Sequence, residues 1–428
     1  MTALKLLVAA SALLLFLGLD ASTIWDANEA YYVETPRQMV QSGDYVNPSF
    51  NGAPRFNKPV LSYWVVAAFY KVFGVSVWAE RVAIAFGALG IAAAAFVIAR
   101  VTWSLRAAWI AALVILSAPR VVFFARRIFI DVWVTMFMSL VLMFFVLAEA
   151  RPQHRRRYLL LMYAAAGLGM LTKGPVAVVL PALAFGLYLI LERRLRDIPR
   201  MHLVTGALIV IAIVAPWYGM VYAQHGWDYI REFFIGENLE RYADTYGEQA
   251  RPVFFYIPVL LTELFPWSLF VPVALWTAWR LKRPMPRLLL CWVATIVLVF
   301  TFSSTKQDLY IFPIVAALAA LIAGAIERWT DGKEHALPFP TTWLVVVLAL
   351  LGMSVVLTRL FGGSGSLYFI RGAFPAGMLL LVGAMVVGSL LGRRRDAVLA
   401  LGLTMILANY TLVLVSLPDF ERFKPVAP

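Results

Sequence analysis

Long apolar runs recur down this chain, separated by short polar stretches. A helix needs about 20 apolar residues to cross a bilayer's hydrocarbon core. Read by that rule, the pattern predicts spans at 4–20, 78–99, 107–124, 132–149, 158–173, 175–191, 201–219, 254–276, 288–303, 309–326, 341–360, 373–391 and 397–416, about 13 helices in all. The fifth and sixth are short, with Lys173-Gly174-Pro175 as a tight turn between them. A basic residue and an apolar stretch at the N-terminus also fit a cleaved signal peptide. The first segment is read as a retained span, because the alternation of orientation works only if it is kept.

Two polar stretches break the rhythm, from Ala21 to about Trp78 and from Met220 to Pro252. Loops this long are uncommon unless functional. The first holds two helix-like pieces. Residues 27–41 place Tyr32, Pro36 and Val40 on one face, with Gly43 as a stop signal. Residues 59–73, "PVLSYWVVAAFYKVF", are too short to span and rich in aromatics, which suits a helix lying in the interface. The loop is therefore expected on the membrane surface.

Composition agrees. Only 14% of residues are charged and 62% are hydrophobic, against about 25% charged in a soluble domain. Soluble and disordered readings fail together. The net charge of +13 would suit nucleic acid, but the basic residues sit in tufts between apolar runs: Arg100 to Arg106, Arg151 to Arg157, Arg193 to Arg200, Arg280 to Arg287 and Arg393 to Arg395. That is the positive-inside pattern of cytoplasmic loops. It sets the N-terminus inside, and both long polar stretches and the C-terminus outside. The lone Cys291 lies in an apolar run and allows no disulfide framework. His154, His202, His225 and His335 form no cluster with metal-ligand spacing.

Four polar constellations fall on the outer side. Asp26, Asn28 and Glu29 come first; Asp26-x-x-Glu29 has capping-box spacing, and a capped helix start is also a rigid mount for a carboxylate. In "FFARRIFIDVW", Asp131 opens the fourth span behind Arg126 and Arg127. Arg127 and Asp131 are spaced for a local ion pair, yet ionisable residues at membrane depth also mark function. Lys58 in "RFNKPV" and Lys173 in "LTKGP" each sit beside a proline at the outer end of a segment, where lysines anchor by snorkelling or bind anions. In "SSTKQDLYIFP", Lys306 among hydroxyls could hold a phosphate, or the stretch could be plain turn chemistry. Cations suit a lipid phosphate, and a carboxylate suits an acceptor hydroxyl.

The pieces "NEAYYVETPRQMVQSGDYVNPSFNGAPRFNKPVLSYW", "GVSVWAERVAIAFGAL", "RRIFIDVWVTMF", "LTKGPVAV", "APWYGMV", "ENLERY", "ELFPWS" and "STKQDLYIFP", in this order and spacing, resemble the bacterial GT-C glycosyltransferases of the aminoarabinose-transferase and protein O-mannosyltransferase superfamily. The resemblance implies an all-α polytopic GT-C fold in one transmembrane domain, 1–428. It implies an inverting transferase that takes a sugar from a polyprenyl-phosphate such as undecaprenyl phosphate and passes it to a lipid, glycan or protein, with lipid A among the candidates. It also implies an acidic residue of the first outer loop, Glu29 or Asp26, and Asp131 as the groups acting on the acceptor. Lys58, Arg241 and Tyr310 match positions near the donor phosphate. Lys173 and Lys306 match motif lysines, and Arg126 and Arg127 are further candidates there.

This chain departs from the family pattern in three places. Asn28 stands where the family usually has Asp, which passes the acidic role to Glu29 or Asp26. Asn57 stands where an acidic residue often precedes the lysine, which weakens a metal site; the resemblance fixes no cofactor and leaves a divalent metal open. The chain also stops at "PDFERFKPVAP", where the relatives' outer soluble domain would begin, so the protein is a compact form or the chain is cut short. The rival class is a transporter or flippase for lipids or lipid-linked sugars. It predicts charges deep within several spans and internal repeats; here the span centres are nearly free of charge.

Overall fold

The computed structural model describes residues 1–24, 27–127, 130–231, 233–236, 251–332 and 394–416. The expected spans at 341–360 and 373–391 lie outside them, as do Asp26 and Arg241. The described chain is mostly helical. Among the described residues, six helices are long and apolar enough to cross a membrane, or eight if each of two bent pairs is one span.

The helices are α1 (Thr2–Leu14), α2 (Ala27–Ser42), α3 (Leu61–Phe73), α4 (Val77–Thr102), α5 (Leu105–Ser117), α6 (Pro119–Ala125), α7 (Ile130–Ala150), α8 (Arg155–Lys173), α9 (Val176–Leu191) and α10 (Leu203–Arg231). They continue as α11 (Tyr256–Glu263), α12 (Val271–Leu281), α13 (Pro284–Thr301), α14 (Val315–Thr330) and α15 (Arg394–Thr411). Side-chain caps fix two of the starts. Ser76 accepts from the Ala79 amide ahead of α4, and Ser104 accepts from the Arg106 and Ala107 amides ahead of α5.

Several expected spans differ in shape. The run 107–124 is two helices bent by 63°. Pro119 opens the second of them and holds Ala118 extended, since a residue before proline avoids the helical region. The run 254–276 bends by 115° between Glu263 and Trp267, where Pro266 can donate no amide hydrogen bond. The first segment is helical only to Leu14 rather than to residue 20. Its end is held by two buried arginines. Arg126 donates to the Leu14 carbonyl at 3.2 Å and the Gly18 carbonyl at 2.5 Å. Arg81 donates to the carbonyls of Leu19, Ser22 and Thr23 at 2.7 to 2.9 Å. Such donors satisfy orphan carbonyls past a helix end.

The first loop does carry two helices. α2 stops at Ser42 with Gly43 at φ 73°, and α3 covers Leu61–Phe73. Between them lies a hairpin absent from the sequence reading, β1 (Ser49–Phe50) against β2 (Ala53–Pro54). Asn51 and Gly52 turn it, both at positive φ, the conformation an Asn-Gly hairpin turn requires. Within the loop, Trp64 of α3 donates to the Tyr45 carbonyl at 2.7 Å, and Trp217 of α10 pins the loop to the bundle by donating to the Val46 carbonyl at 2.9 Å. Gly174, at φ 101°, makes the expected turn between α8 and α9, a conformation open to glycine without a side-chain clash.

Candidate functional site

A cavity of about 830 Å³ opens where the first loop meets the N-terminal ends of α7 and α9, the C-terminal ends of α8 and α13, and the loop before α14. One wall is apolar, with Val134 and Met138 of α7, Val179 and Leu183 of α9, and Val299 and Phe300 of α13. The other end is polar, with Tyr31, Tyr32, Arg55, Asn57, Lys58, Asp131, Lys173, Gln307 and Tyr310. A long lipid chain and an anionic head can therefore share one space.

Four of the predicted residues, Lys58, Asp131, Lys173 and Tyr310, come together here from positions up to 252 residues apart. Asp131, 7% exposed, accepts a hydrogen bond from the Lys173 ammonium. That ammonium also lies 5.7 Å from the centroid of the Tyr310 ring. The local Arg127–Asp131 pair does not form. Spacing of four residues brings side chains together only along a continuous helix, and α7 begins at Ile130, after Arg127. Arg127 instead faces Glu29 at 3.7 Å.

The other predicted residues lie elsewhere. Glu29 is fully buried in the first turn of α2 and is not part of the cavity lining. Arg126 is spent on the end of α1. Lys306 is 7% exposed and donates to the Ser303 carbonyl at 2.7 Å, while the Ser303 hydroxyl donates to the Thr305 carbonyl at 2.9 Å. Lys306 and Ser303 thus bond within their own turn. Among the described residues, no group of three or more His, Cys, Asp or Glu could hold a metal.

Sequence reasoning passed over two features. Arg55 lines the cavity, with its guanidinium 3.7 Å from the centroid of the Tyr31 ring. Burial raises the proton affinity of the neighbouring Tyr63 hydroxyl, and Arg55 opposes that shift. The second feature is a charge cluster next to the cavity, with Glu263 fully buried and Asp308 half exposed. Arg120 meets Glu263 at 3.2 Å and Asp308 at 2.8 Å, and Tyr256 donates to the Gln307 carbonyl at 3.1 Å. A charge inside the expected span 107–124 was the signal for it.

The comparisons with known proteins point the same way. The dolichyl-phosphate-mannose-protein mannosyltransferase family model matches residues 57–219. Two similar relatives are both named undecaprenyl phosphate-alpha-4-amino-4-deoxy-L-arabinose arabinosyl transferase. The one from Pseudomonas fluorescens, numbered 2, is 33% identical over 76% of this chain and 56% of its own length. The one from Aeromonas salmonicida is 31% identical over 87% of this chain and 69% of its own length.

The chain is thus a membrane glycosyltransferase by family. Specifically, it belongs to the undecaprenyl phosphate-aminoarabinose arabinosyl transferase family. It spans 56% to 69% of the length of these two curated relatives. The crystal structure of ArnT from Cupriavidus metallidurans bound to undecaprenyl phosphate superposes with a TM-score of 0.85, at 26% identity, over 98% of this chain and 77% of that one. The archaeal oligosaccharyltransferase AglB from Archaeoglobus fulgidus shares the fold at a TM-score of 0.55 and 16% identity, over 95% and 55% of the two chains.

Proposed function

We propose that this protein transfers a sugar, with inversion, from a polyprenyl-phosphate donor to a lipid, glycan or protein acceptor. The single observation that supports this best is the cavity with an apolar wall and the Asp131–Lys173 pair at its polar end. The apolar wall takes the isoprenoid. Lys58, Lys173 and Tyr310 take the phosphate. The donor is of the kind the relatives' names give, an undecaprenyl-phosphate-linked 4-amino-4-deoxy-L-arabinose. The site faces the periplasm, the N-terminus the cytoplasm and the C-terminus the periplasm. The chain acts as one transmembrane domain, 1–428, of about 13 spans with periplasmic loops 21–77 and 220–252.

In the transfer, the acceptor oxygen attacks the anomeric carbon opposite the phosphate. The bond from that carbon to the phosphate oxygen breaks, and polyprenyl phosphate leaves. The cations stabilise charge as it develops on the leaving oxygen. An incoming phosphate competes with Asp131 for the Lys173 ammonium. The freed carboxylate then orients the acceptor hydroxyl and takes its proton. Glu29, held against Arg127, braces the first turn of α2 at the edge of this site.

The test is transfer by purified protein from a synthetic polyprenyl-phosphate pentose, followed by mass spectrometry. Asp131→Asn should lower turnover by about 10²- to 10⁴-fold with thermal stability kept. Wild-type protein that transfers nothing would falsify the activity. Full turnover in both Asp131→Asn and Lys58→Met would overturn the site assignment alone.

A further inference from the structure

The charges around the cavity are unevenly committed. Lys173 is engaged with Asp131. Arg55 has no carboxylate partner among the described residues, and its Nε is buried without a hydrogen bond there. Two things fix where its guanidinium sits. The Arg55 amide donates to the Pro48 carbonyl at 2.7 Å, which anchors the backbone at the foot of the β1–β2 hairpin. The Tyr31 ring lies against the guanidinium at 3.7 Å, and the Phe50 ring packs on Tyr31 at 4.6 Å between centroids.

An arginine stacked this way has one flat face occupied by an aromatic ring. Its N–H groups point outward in the guanidinium plane and cannot be used by that ring. Those in-plane donors match a pair of phosphate oxygens, which a lysine ammonium cannot match as a fork. The residue lines the same polar end as Lys58 and Lys173.

Resting on the functional reading above, we propose that Arg55, held flat by Tyr31, is a phosphate-binding residue of this cavity. It is a cation with no carboxylate to leave, unlike Lys173, which must first leave Asp131. Tyr31 is its positioning residue. The phosphate belongs to the polyprenyl donor or to a phosphorylated acceptor; the chemistry recognised is the same.

Titration of detergent-solubilised protein with a polyprenyl monophosphate reads the donor arm. KM for a phosphorylated lipid acceptor and for its dephosphorylated counterpart reads the acceptor arm. Arg55→Gln should weaken one arm by about 10- to 100-fold. Arg55→Lys, which keeps the charge and loses the fork, should fall between. Tyr31→Leu should weaken the same arm several-fold, and by less when Arg55 is already Gln, since a shared interaction is lost only once. A rise in donor dissociation constant assigns the donor phosphate; a rise in KM confined to the phosphorylated acceptor assigns the acceptor phosphate. If Arg55→Gln leaves both arms unchanged, or lowers kcat alone, the inference is wrong while the functional reading stands. Wild-type protein that neither binds polyprenyl monophosphate nor transfers sugar sinks both.

Discussion

Four helices run from the cavity at one end to a set of charges at the other. α7 runs from Asp131 to Glu149, α8 from Arg155 to Lys173, α9 from Val176 to the Glu192 that ends it, and α13 from Arg287 to the cavity wall. At the far end, Glu149 sits between Arg155 and Arg194, each at 2.5 Å. Arg194 also reaches Asp197 at 2.7 Å, and Arg287 bonds Glu192. Nearby in kind, Arg106 at the start of α5 meets Glu327 at 3.3 Å and Asp331 at 2.7 Å at the end of α14. At the cavity end the Asp131–Lys173 pair is closed in this way, while Arg55 lines the cavity with no carboxylate partner among the described residues. Charges closed on one another hold helix ends together. Charges arranged around a void await a ligand.

The sharpest way to break this contrast is at Glu149. Glu149→Gln removes the carboxylate shared by two arginines, of which Arg155 is 20% and Arg194 34% exposed. Loss of one buried partner is costly, discounted here because the cations keep some water. Thermal unfolding in detergent should show a loss of about 2 kcal/mol, with turnover per folded molecule unchanged. A variant of full stability and lost turnover would move the far end into the machinery.

Arg120 stands between the two classes. Its ion pairs are closed, yet they hold the segment that carries Gln307 and Tyr310 into the cavity. Arg120→Met should therefore lower kcat about 10-fold, roughly 1.4 kcal/mol of barrier. Donor affinity should change less than about 2-fold, because the binding cations are untouched. Steady-state kinetics beside a donor titration separates the two. A lower unfolding temperature with unchanged kcat would return Arg120 to the purely structural class.

Much of this was legible in the chain, for physical reasons that also explain the gaps. Apolar period and basic tufts report membrane helices directly, so α4, α7 and the helices around them were readable. The two helices of the first loop, expected over 27–41 and 59–73, were also readable, from a stop signal and aromatic content. Asp131 stood out as a carboxylate at membrane depth and Lys58 and Lys173 as lysines beside prolines at segment ends, while Tyr310 came from the family resemblance. Their pairing was not legible. Asp131 meets Lys173 across 42 residues, while Arg127, four residues away, turns to Glu29. Sequence spacing predicts partners only within one helix. The kink at Pro119 and the bend before Trp267 break runs whose hydrophobicity is continuous. Arg55 looked like any loop arginine, because stacking on Tyr31 depends on a hairpin with strands two residues long. Asp26 and Arg241 lie outside the described residues.

The smallest expected effect tests a closed charge on the cavity side. Burial pushes the Asp44 carboxyl up, but the Asn47 side-chain amide and the Val46 and Asn47 backbone amides outweigh it, with His225 adding to the pull. The net result lies below the usual aspartate range. The same Asn47 reaches Gln224 at 2.8 Å and lies 2.7 Å from His225, which ties this turn to the end of α10. A folded-state value depressed in this way contributes stability that is complete above the ordinary aspartate range. That contribution is lost as pH falls through that range to the lowered value. The protection of the Val46 and Asn47 amides, taken relative to their intrinsic exchange at each pH, should fall over that acid window and stay constant from pH 6 to 8. At neutral pH, Asp44→Ala should cost less than about 1 kcal/mol and leave donor affinity unchanged. If it instead weakens donor binding, closed charges on this side serve the ligand too, and the division between the two ends of the bundle fails.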